Sequence, residues 1–450
     1  MDASATPATR APYWRDNARP RTPIKVAMTA PTTLADWLAH IEGQHPSAIV
    51  MGLDRVREVA GRLALDRPAV RVITVAGTNG KGSTVAFIEA IARAAGWRVG
   101  AYTSPHLLRY NERVRIDGQD ADDAALVAAF EAVDAARGRT PLTYFEYGTL
   151  AALWLFQRAS LDLAVLEVGL GGRLDAVNVV DPDVAVITTV DIDHTEWLGV
   201  DREAIGAEKA GIARPWKPLV LGEIDSPSSM LQRAYLIGAN ALRLGSDFFH
   251  EPVDEGHWRW REVGAELILP MPQLAAPVQR ANAATAIAAL RALEAELPEQ
   301  AFAAGVASAT LPGRLQRFQR GEVEVLVDVG HNPQAARELS AWLAAQPGEG
   351  TTSAVFAALA DKDAVSIVQA LAPQVQRWHL AGLVGLARGQ DAQTLAARLS
   401  GTTAAQGEQH VDVATALAHA VSVAAPGDRV LVFGSFHTAA AALDALHSGR

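Results

Sequence analysis

The run Gly77-Thr78-Asn79-Gly80-Lys81-Gly82-Ser83-Thr84 contains the residue types that hold a polyphosphate. Its glycines let backbone N–H groups approach phosphate oxygens, and a helix starting at its end would turn free N–H groups toward the anion. Lys81 would neutralise the outer phosphates, and the Ser83 hydroxyl would reach an accompanying metal ion. The bland alternative, a tight strand-to-helix turn with an incidental lysine, leaves the Lys-Ser-Thr grouping unexplained. Three more polar groups follow short apolar runs: Ser104 in Tyr102-Thr103-Ser104-Pro105-His106, Glu167 in Leu166-Glu167-Val168-Gly169, and His194 in Asp191-Ile192-Asp193-His194. Hydroxyl and carboxylate suit Mg²⁺, whereas imidazole suits softer ions, so His194 leaves room for Mn²⁺ in place of Mg²⁺. Taken alone, His194 could equally cap a turn. Leu142 to Tyr147 gathers Tyr144, Phe145 and Tyr147, either a stacking surface for a flat heterocycle or the start of a core helix.

Positioning these groups requires a β-α-β framework. Leu34, Trp37, Leu38 and Ile41 share one face of a helix. Val70 to Ala76 reads as a buried strand that runs straight into the glycine-rich loop. Ser83 to Ala95 follows as a helix ended by Gly96, and Arg98 to Tyr102 as the next strand, an order that implies a parallel sheet. Leu163 to Val168 and Val184 to Val190 are further strand-like runs, which puts Glu167 and His194 near strand ends, where open parallel sheets place their ligands. His250 to Pro272 changes texture to Trp, Pro and polar residues, suggesting a small β excursion before alanine-rich helices from Ala281 to Leu297. Thr310 to Gly313 carries Pro312 and Gly313 and reads as a hinge. Alternation then restarts, with strands at Val323 to Val327, Ser353 to Ala358 and Arg429 to Phe433. The expected fold class is α/β: a mostly parallel sheet of P-loop type, then a smaller Rossmann-like α/β unit, with a two-substrate cleft between them.

A chain of 450 residues exceeds what one core usually organises, in line with two domains. With 49% hydrophobic and 20% charged residues it has ample material for a core. A formal charge of −10 argues against nucleic acid as a partner. No run approaches the length of a membrane span and no basic helix suits a membrane surface. Cysteine is absent, which removes disulfides, thiolate metal sites and a cysteine nucleophile. The first 30 residues, rich in Pro, Arg and Ala, lack the apolar centre of a signal peptide and read as a disordered tail, leaving the cytoplasm as the expected location.

The loop spacing departs from G-x-x-x-x-G-K-[ST], since Gly82 lies between Lys81 and Ser83. In that departure it resembles the G-T-N-G-K-G-[ST] loop of the Mur ligase superfamily, which forms amide bonds through acyl phosphates. More narrowly, the chain resembles bacterial dihydrofolate synthase/folylpolyglutamate synthases from about Leu34 to its end. The matching stretches are Ala76 to Thr84, Ser104-Pro105-His106, Asn111 to Val114, Leu142 to Thr149, Glu167 to Asp175, Asp193-His194-Thr195, Glu208 to Ile212, Leu311 to Arg314, Asp328 to Pro333, Asp361-Lys362-Asp363 and Gly434 to His437. Gly330 stands where the family more often has alanine.

The resemblance implies a division into residues 31–309 as a Mur-type central ATP-binding domain, 310–313 as the hinge and 314–450 as a glutamate-ligase domain. It implies that Gly77 to Ser83, Asn282, Arg314 and Asp328 hold ATP, and that Ser83, Ser104, Glu167 and His194 hold one or two Mg²⁺ ions. It places Thr143, Tyr144, Phe145, Glu146, Leu174, Asp175 and Ala176 around a folate, and Arg113, His331 and Ser435 at glutamate. Lys209 resembles the family's carbamylated lysine, with an ordinary phosphate-contacting lysine as the alternative. A surface salt bridge for Arg113 and helix-capping roles for His331 and Ser435 are the plainer readings. The implied activity is ATP-dependent addition of L-glutamate to dihydropteroate and to folate polyglutamates by a monomer, with Lys81, Lys209 and, as base for the amine, His331 in catalysis. A dedicated folylpolyglutamate synthase or another Mur-type amino-acid ligase is the alternative. A peptidoglycan-precursor ligase would need a uridine-nucleotide domain ahead of Gly77, where the intervening stretch is short. A nucleotide switch would be expected to show a guanine-reading N-K-x-D, which the sequence lacks.

Overall fold

A computed structural model describes residues 31–45, 50–346, 348 and 350–448, so the expected tail at 1–30 lies outside the described residues. Strands Arg71–Ala76 (β1), Val99–Tyr102 (β2), Val114–Ile116 (β3), Gln119–Asp120 (β4), Leu163–Glu167 (β5), Val184–Ile187 (β6), Pro218–Leu221 (β7) and Asn240–Arg243 (β8) form one sheet in the order β4-β3-β2-β5-β1-β6-β7-β8. Only the β2–β3 and β3–β4 pairs are antiparallel. Apart from the half-buried Arg71, β1 is buried throughout, the near-continuous apolar run of a strand covered on both faces. Its side chains alternate: Ile73 and Val75 face one core, Val72 the other. The helices of this part are Leu34–Glu42 (α1), Asp54–Arg62 (α2), Lys81–Ala94 (α3), Asp123–Arg137 (α4), Tyr144–Arg158 (α5), Thr195–Leu198 (α6), Arg202–Lys209 (α7), Ser228–Ile237 (α8), Val278–Arg291 (α9) and Glu299–Ser308 (α10). Leu34, Trp37 and Ile41 of α1 are buried as the periodicity requires. Between α8 and α9, Phe248–Pro252 (β9), His257–Glu262 (β10) and Ala265–Pro270 (β11) make the small antiparallel sheet, whose Trp258 and Trp260 close the core over α9.

The second sheet runs β12-β13-β17-β14-β15-β16, from Gln316–Arg320 (β12), Val323–Val327 (β13), Thr352–Phe356 (β14), Arg377–Ala381 (β15), Glu408–His410 (β16) and Arg429–Phe433 (β17). Only β12 is antiparallel to its neighbour. Helices Pro333–Ala345 (α11), Ala364–Leu371 (α12) and Ala392–Arg398 (α13) cover one face, and Val413–Ser422 (α14) and Phe436–His447 (α15) the other.

Several expectations change. Helix α3 begins at Lys81 rather than Ser83, which sets the lysine on its first turn. β6 stops at Ile187, so Thr188 to Val190 belong to the loop that buttresses the glycine-rich turn. Of the alanine-rich helices expected from Ala281 to Leu297, the structure has α9, which starts at Val278 and ends at Arg291, and the chain then turns at Glu294, whose φ is +52°. At the expected hinge, Gly313 is left-handed at φ +67°, its N–H donates to Gln316 Oε1 at 3.0 Å, and its carbonyl accepts from Val329 N at 3.0 Å. No helix among the described residues is long and apolar enough to cross a membrane.

Candidate active site

From β1 the chain crosses to β2, then returns through β5 and over β1 to β6, so the carboxyl ends of β1, β5 and β6 meet where the winding reverses. The glycine-rich loop lies there. Its N–H groups at Thr78 and Asn79 donate to Thr189 O (2.7 Å) and Thr189 Oγ1 (3.0 Å), and Thr188 Oγ1 donates to Asn79 O at 2.6 Å. Gly77 must be glycine because a Cβ would collide with Thr188 Oγ1, and Gly80 because its φ is +84° with Asn282 Oδ1 only 2.6 Å from where a Cβ would lie. The Lys81 ammonium bends back, donating to Gly77 O (3.1 Å) and Thr78 O (3.3 Å). It is thus held on the first turn of α3 beside the anion-favouring helix end.

Glu167 ends β5 in register with Val75. It is buried and accepts a hydrogen bond from Ser104 N at 3.2 Å. Burial pushes its carboxyl above the ordinary range, opposed by the Lys81 ammonium. His194 is left-handed at φ 52° ahead of α6, and its side chain makes no capping bond, which removes the turn-cap alternative. Burial pulls its imidazole down to about 4, so the ring is neutral near pH 7 and keeps a free lone pair. A buried carboxylate, the buried Ser83 hydroxyl, Ser104 and a neutral imidazole around one cleft are a donor set that fits a hard or borderline divalent cation. Lys209, at the end of α7, is also buried, and burial with the Lys81 charge pushes its amine down to about 7.

The second sheet closes the other side of this cleft. Asp328 follows β13 and accepts from Gly330 N (2.7 Å) and Leu315 N (2.9 Å), and burial raises its carboxyl against the pull of Arg314. Arg314 lies over the Phe436 ring, 5.4 Å from its centre. Asn79 of the loop and Asn332 exchange two amide hydrogen bonds, Nδ2 to Oδ1 at 3.1 Å and 3.0 Å. Asp193 receives Lys362 Nζ at 2.7 Å and lies 3.5 Å from His331 Nε2. Burial opposes its charge, but the His331 hydrogen bond and the Lys362 cation hold the carboxyl well below its usual range.

Gly77 to Ser83, Ser104, Glu167, His194, Lys209, Asn282, Arg314, Asp328, His331 and Ser435 all line this one cleft. The remaining candidates stand apart from its wall. Thr143 and Glu146 form a reciprocal cap on α5, with Glu146 Oε2 accepting from Thr143 N at 2.7 Å and Oε1 from Arg55 Nη2 at 2.7 Å. Tyr147 is core, its hydroxyl donating to Asp134 at 2.7 Å, whereas Tyr144 and Phe145 are only half-buried. Phe145 packs against Gly169, which does line the cleft. Asp175, pushed up to about 7 by burial, accepts from Leu170 N (2.9 Å) and Val177 N (3.0 Å) and caps the turn Ala176–Val179, while Leu174 O accepts from Gly52 N. Arg113 makes no surface salt bridge: it is buried, donates to His106 Nδ1 at 2.9 Å and covers the Tyr110 and Tyr144 rings. Ser435 caps α15, accepting from Thr438 N at 3.0 Å. Asn332, not His331, caps α11.

Residues 75–246 match the Mur ligase middle domain and residues 313–436 the Mur ligase glutamate ligase domain. The dihydrofolate synthase/folylpolyglutamate synthase of Escherichia coli (strain K12) is 46% identical over 428 residues, 95% of this chain and 99% of the relative. The chain belongs to the dihydrofolate synthase/folylpolyglutamate synthase family of Mur ligases. Solved structures of the family share its fold throughout. E. coli FolC in complex with DHPP and ADP gives a TM-score of 0.88 at 46% identity, over 93% of this chain and 99% of that one. A bifunctional folylpolyglutamate synthase/dihydrofolate synthase with Mn, AMPPNP and L-glutamate bound gives 0.86 at 46% identity, over 92% and 98%.

The groups that join the two sheets carry no signal of their pairing in the sequence. Asp193 and Lys362 stand in two of the matched stretches, Asp193-His194-Thr195 and Asp361-Lys362-Asp363, yet no spacing argument pairs residues so far apart in the chain. The Asn79–Asn332 exchange and the Arg337–Asp191 contact at 3.0 Å were equally silent.

Proposed function

We propose that the protein is an ATP- and Mg²⁺-dependent ligase that adds L-glutamate to dihydropteroate and to reduced folates. The observation that carries this is the single cleft lined from one side by Lys81, Ser83, Ser104, Glu167 and His194, and from the other by Arg314, Asp328 and His331. The family's FolC structure with DHPP and ADP, and its relative with L-glutamate, support the same substrates here.

ATP lies with its phosphates on the Gly77–Gly82 loop and α3, and its ribose toward Asp328, whose carboxylate keeps lone pairs beyond the two backbone donors. The carboxylate of dihydropteroate, or of a folate's terminal glutamate, attacks the γ-phosphorus, ADP leaves, and an acyl phosphate forms. The glutamate α-amine then attacks the acyl carbon, loses a proton, and expels phosphate. Lys81 and Arg314 follow the charge that builds on the transferred group, the usual protein contribution to phosphoryl transfer. Ser83, Ser104, Glu167 and His194 would hold the divalent ion, which neutralises phosphate oxygens when bound. Mn²⁺ serves in place of Mg²⁺. Lys209 is held close to neutrality, as carbamylation by CO₂ requires, and the modified side chain would help place the ion.

His331, our candidate for the amine's base and for a contact to glutamate, has to exchange one of its present partners for substrate in either role. Its Nδ1 faces Val329 O at 3.1 Å and its Nε2 faces Asp193, so both nitrogens point at acceptors. Half-buried Phe145 beside Gly169, with half-buried Tyr144 next to it in the chain, is the stacking surface we assign to the pterin. Arg113 and Ser435 remain the family's glutamate positions, reached if substrate displaces the His106 bond and shares the Ser435 cap. We further assign residues 31–309 and 314–450 as two domains that close about 310–313, in a cytoplasmic monomer with small-molecule partners only. The test is ADP release with ATP, Mg²⁺ and glutamate, offering dihydropteroate and tetrahydrofolate separately. Activity on both is expected. Reaction with tetrahydrofolate alone would make the protein a dedicated folylpolyglutamate synthase, and inertness toward both would refute the reading.

A further inference from the structure

At the edge of the second sheet, among residues that do not line the ATP cleft, three histidines and a glutamate converge. His379 lies in β15 and is its register partner to Glu408 in β16, with His410 two residues on and His419 in the last turn of α14. His379 Nδ1 is 3.3 Å from His410 Nε2 and 3.8 Å from Glu408 Oε2, and His419 Nε2 is 2.7 Å from the same carboxylate oxygen. Ligand atoms of His379, Glu408 and His410 all lie within 4.8 Å of one another, the only such grouping found among the described residues. A tetrahedral ion with bonds of about 2.0–2.1 Å holds its ligand atoms roughly 3.4 Å apart, so these spacings need only small side-chain adjustments.

We propose that His379, Glu408 and His410, with His419 as fourth ligand, form a zinc-class divalent-metal site that staples the edge of the second sheet. Hydrogen bonding alone does not account for the cluster. The three ring centres stand 5.2–5.7 Å from one another, and any protonation sets like charges side by side. His379 is buried, and its Nε2 has no hydrogen-bond partner whichever tautomer it adopts. The nearby carboxylate of Asp412 is already spent capping α14 through Thr415 N at 2.8 Å, which leaves Glu408 as the available anion. The site also has a mechanical logic: β16 is three residues long and pairs only with β15. An ion shared by β15, β16 and α14 would pin that edge to both neighbours.

The experiment uses the full chain, stripped with EDTA and kept in saturating Mg²⁺ so that the cleft's own ion site is filled. Titration with Co²⁺ is expected to produce one equivalent of an intense tetrahedral visible band that Zn²⁺ displaces, and Zn²⁺ should raise Tm. His410→Ala and Glu408→Gln, both at solvent-accessible positions, should abolish the band and lower Zn²⁺ affinity about a hundredfold or more while ligation is unchanged. Absence of a stoichiometric band in the unaltered protein, or a band that survives both substitutions, would overturn the proposal.

Discussion

Replacing Lys362 by methionine removes one charge from the contact that joins the two sheets, while preserving side-chain length and the backbone carbonyl that accepts from Arg398 Nη2 at 2.7 Å. The Lys362 ammonium meets Asp193 at 2.7 Å, with the two side chains only 10% and 12% exposed, so solvent screening is slight. At an effective dielectric of about 20 the gross attraction at this distance is about 6 kcal/mol. Breaking a buried pair by removing one partner typically costs about 3–5 kcal/mol, because the other charge stays buried. In the open form both groups would be hydrated, so the loss falls on closure rather than on either fold. We therefore expect kcat/KM for ATP to fall roughly a hundredfold, equivalent to about 3 kcal/mol, with Tm little changed. The assay is steady-state ligation for Lys362→Met, Asp193→Asn and the double variant, with scattering measurements of the radius of gyration in ATP, Mg²⁺ and folate. The double variant should cost much less than the sum of the single ones. Activity of Lys362→Met within about threefold of the parent, or strict additivity, would refute the coupling.

Lys81→Ala is expected to abolish ligation, a loss of several kcal/mol in the transition state, while circular dichroism and Tm report an intact fold. Gly80→Ala imposes a left-handed backbone on alanine, about 1–2 kcal/mol, and drives its Cβ into the Asn282 amide, so nucleotide affinity should drop at least about tenfold in calorimetry. With ¹³C-bicarbonate, Lys209 should give a carbamate NMR signal absent from Lys209→Arg. Because its amine titrates at about 7, the reactive neutral form is lost as pH falls below that value, and the signal should fade with it. Gly313→Ala places a Cβ 2.9 Å from Val329 Cγ1 at a positive φ and should lower Tm by several degrees, whereas proline there would also forfeit the N–H bond to Gln316.

The loop's chemistry and the alternation of its flanking strands and helices are legible in the residues alone. Glycines at 77 and 80 followed by Lys81 and Ser83 have few other uses, and β13 and β17 were legible to the residue because buried parallel strands are unbroken apolar runs. Strands at the margins were not legible. β8 and β16 are exposed or half-buried along their whole length, and edge strands with little to bury carry little pattern. β7 opens on Pro218 and is four residues long, too short and too interrupted a run to mark a strand.

Which distant groups share a wall emerges from the packed fold. Asn79 meets Asn332 across 253 positions, and Asp193 meets Lys362 across 169. The packed fold also shows Glu146 spent on a cap and on Arg55, and Ser435 capping α15 while still lining the cleft. The reason is physical: local periodicity records only whether a residue faces a core, which is a property of its own helix or strand. Whether two loops face each other depends on the docking of two sheets. That docking is set by side chains scattered along the whole chain, and no window of sequence contains it.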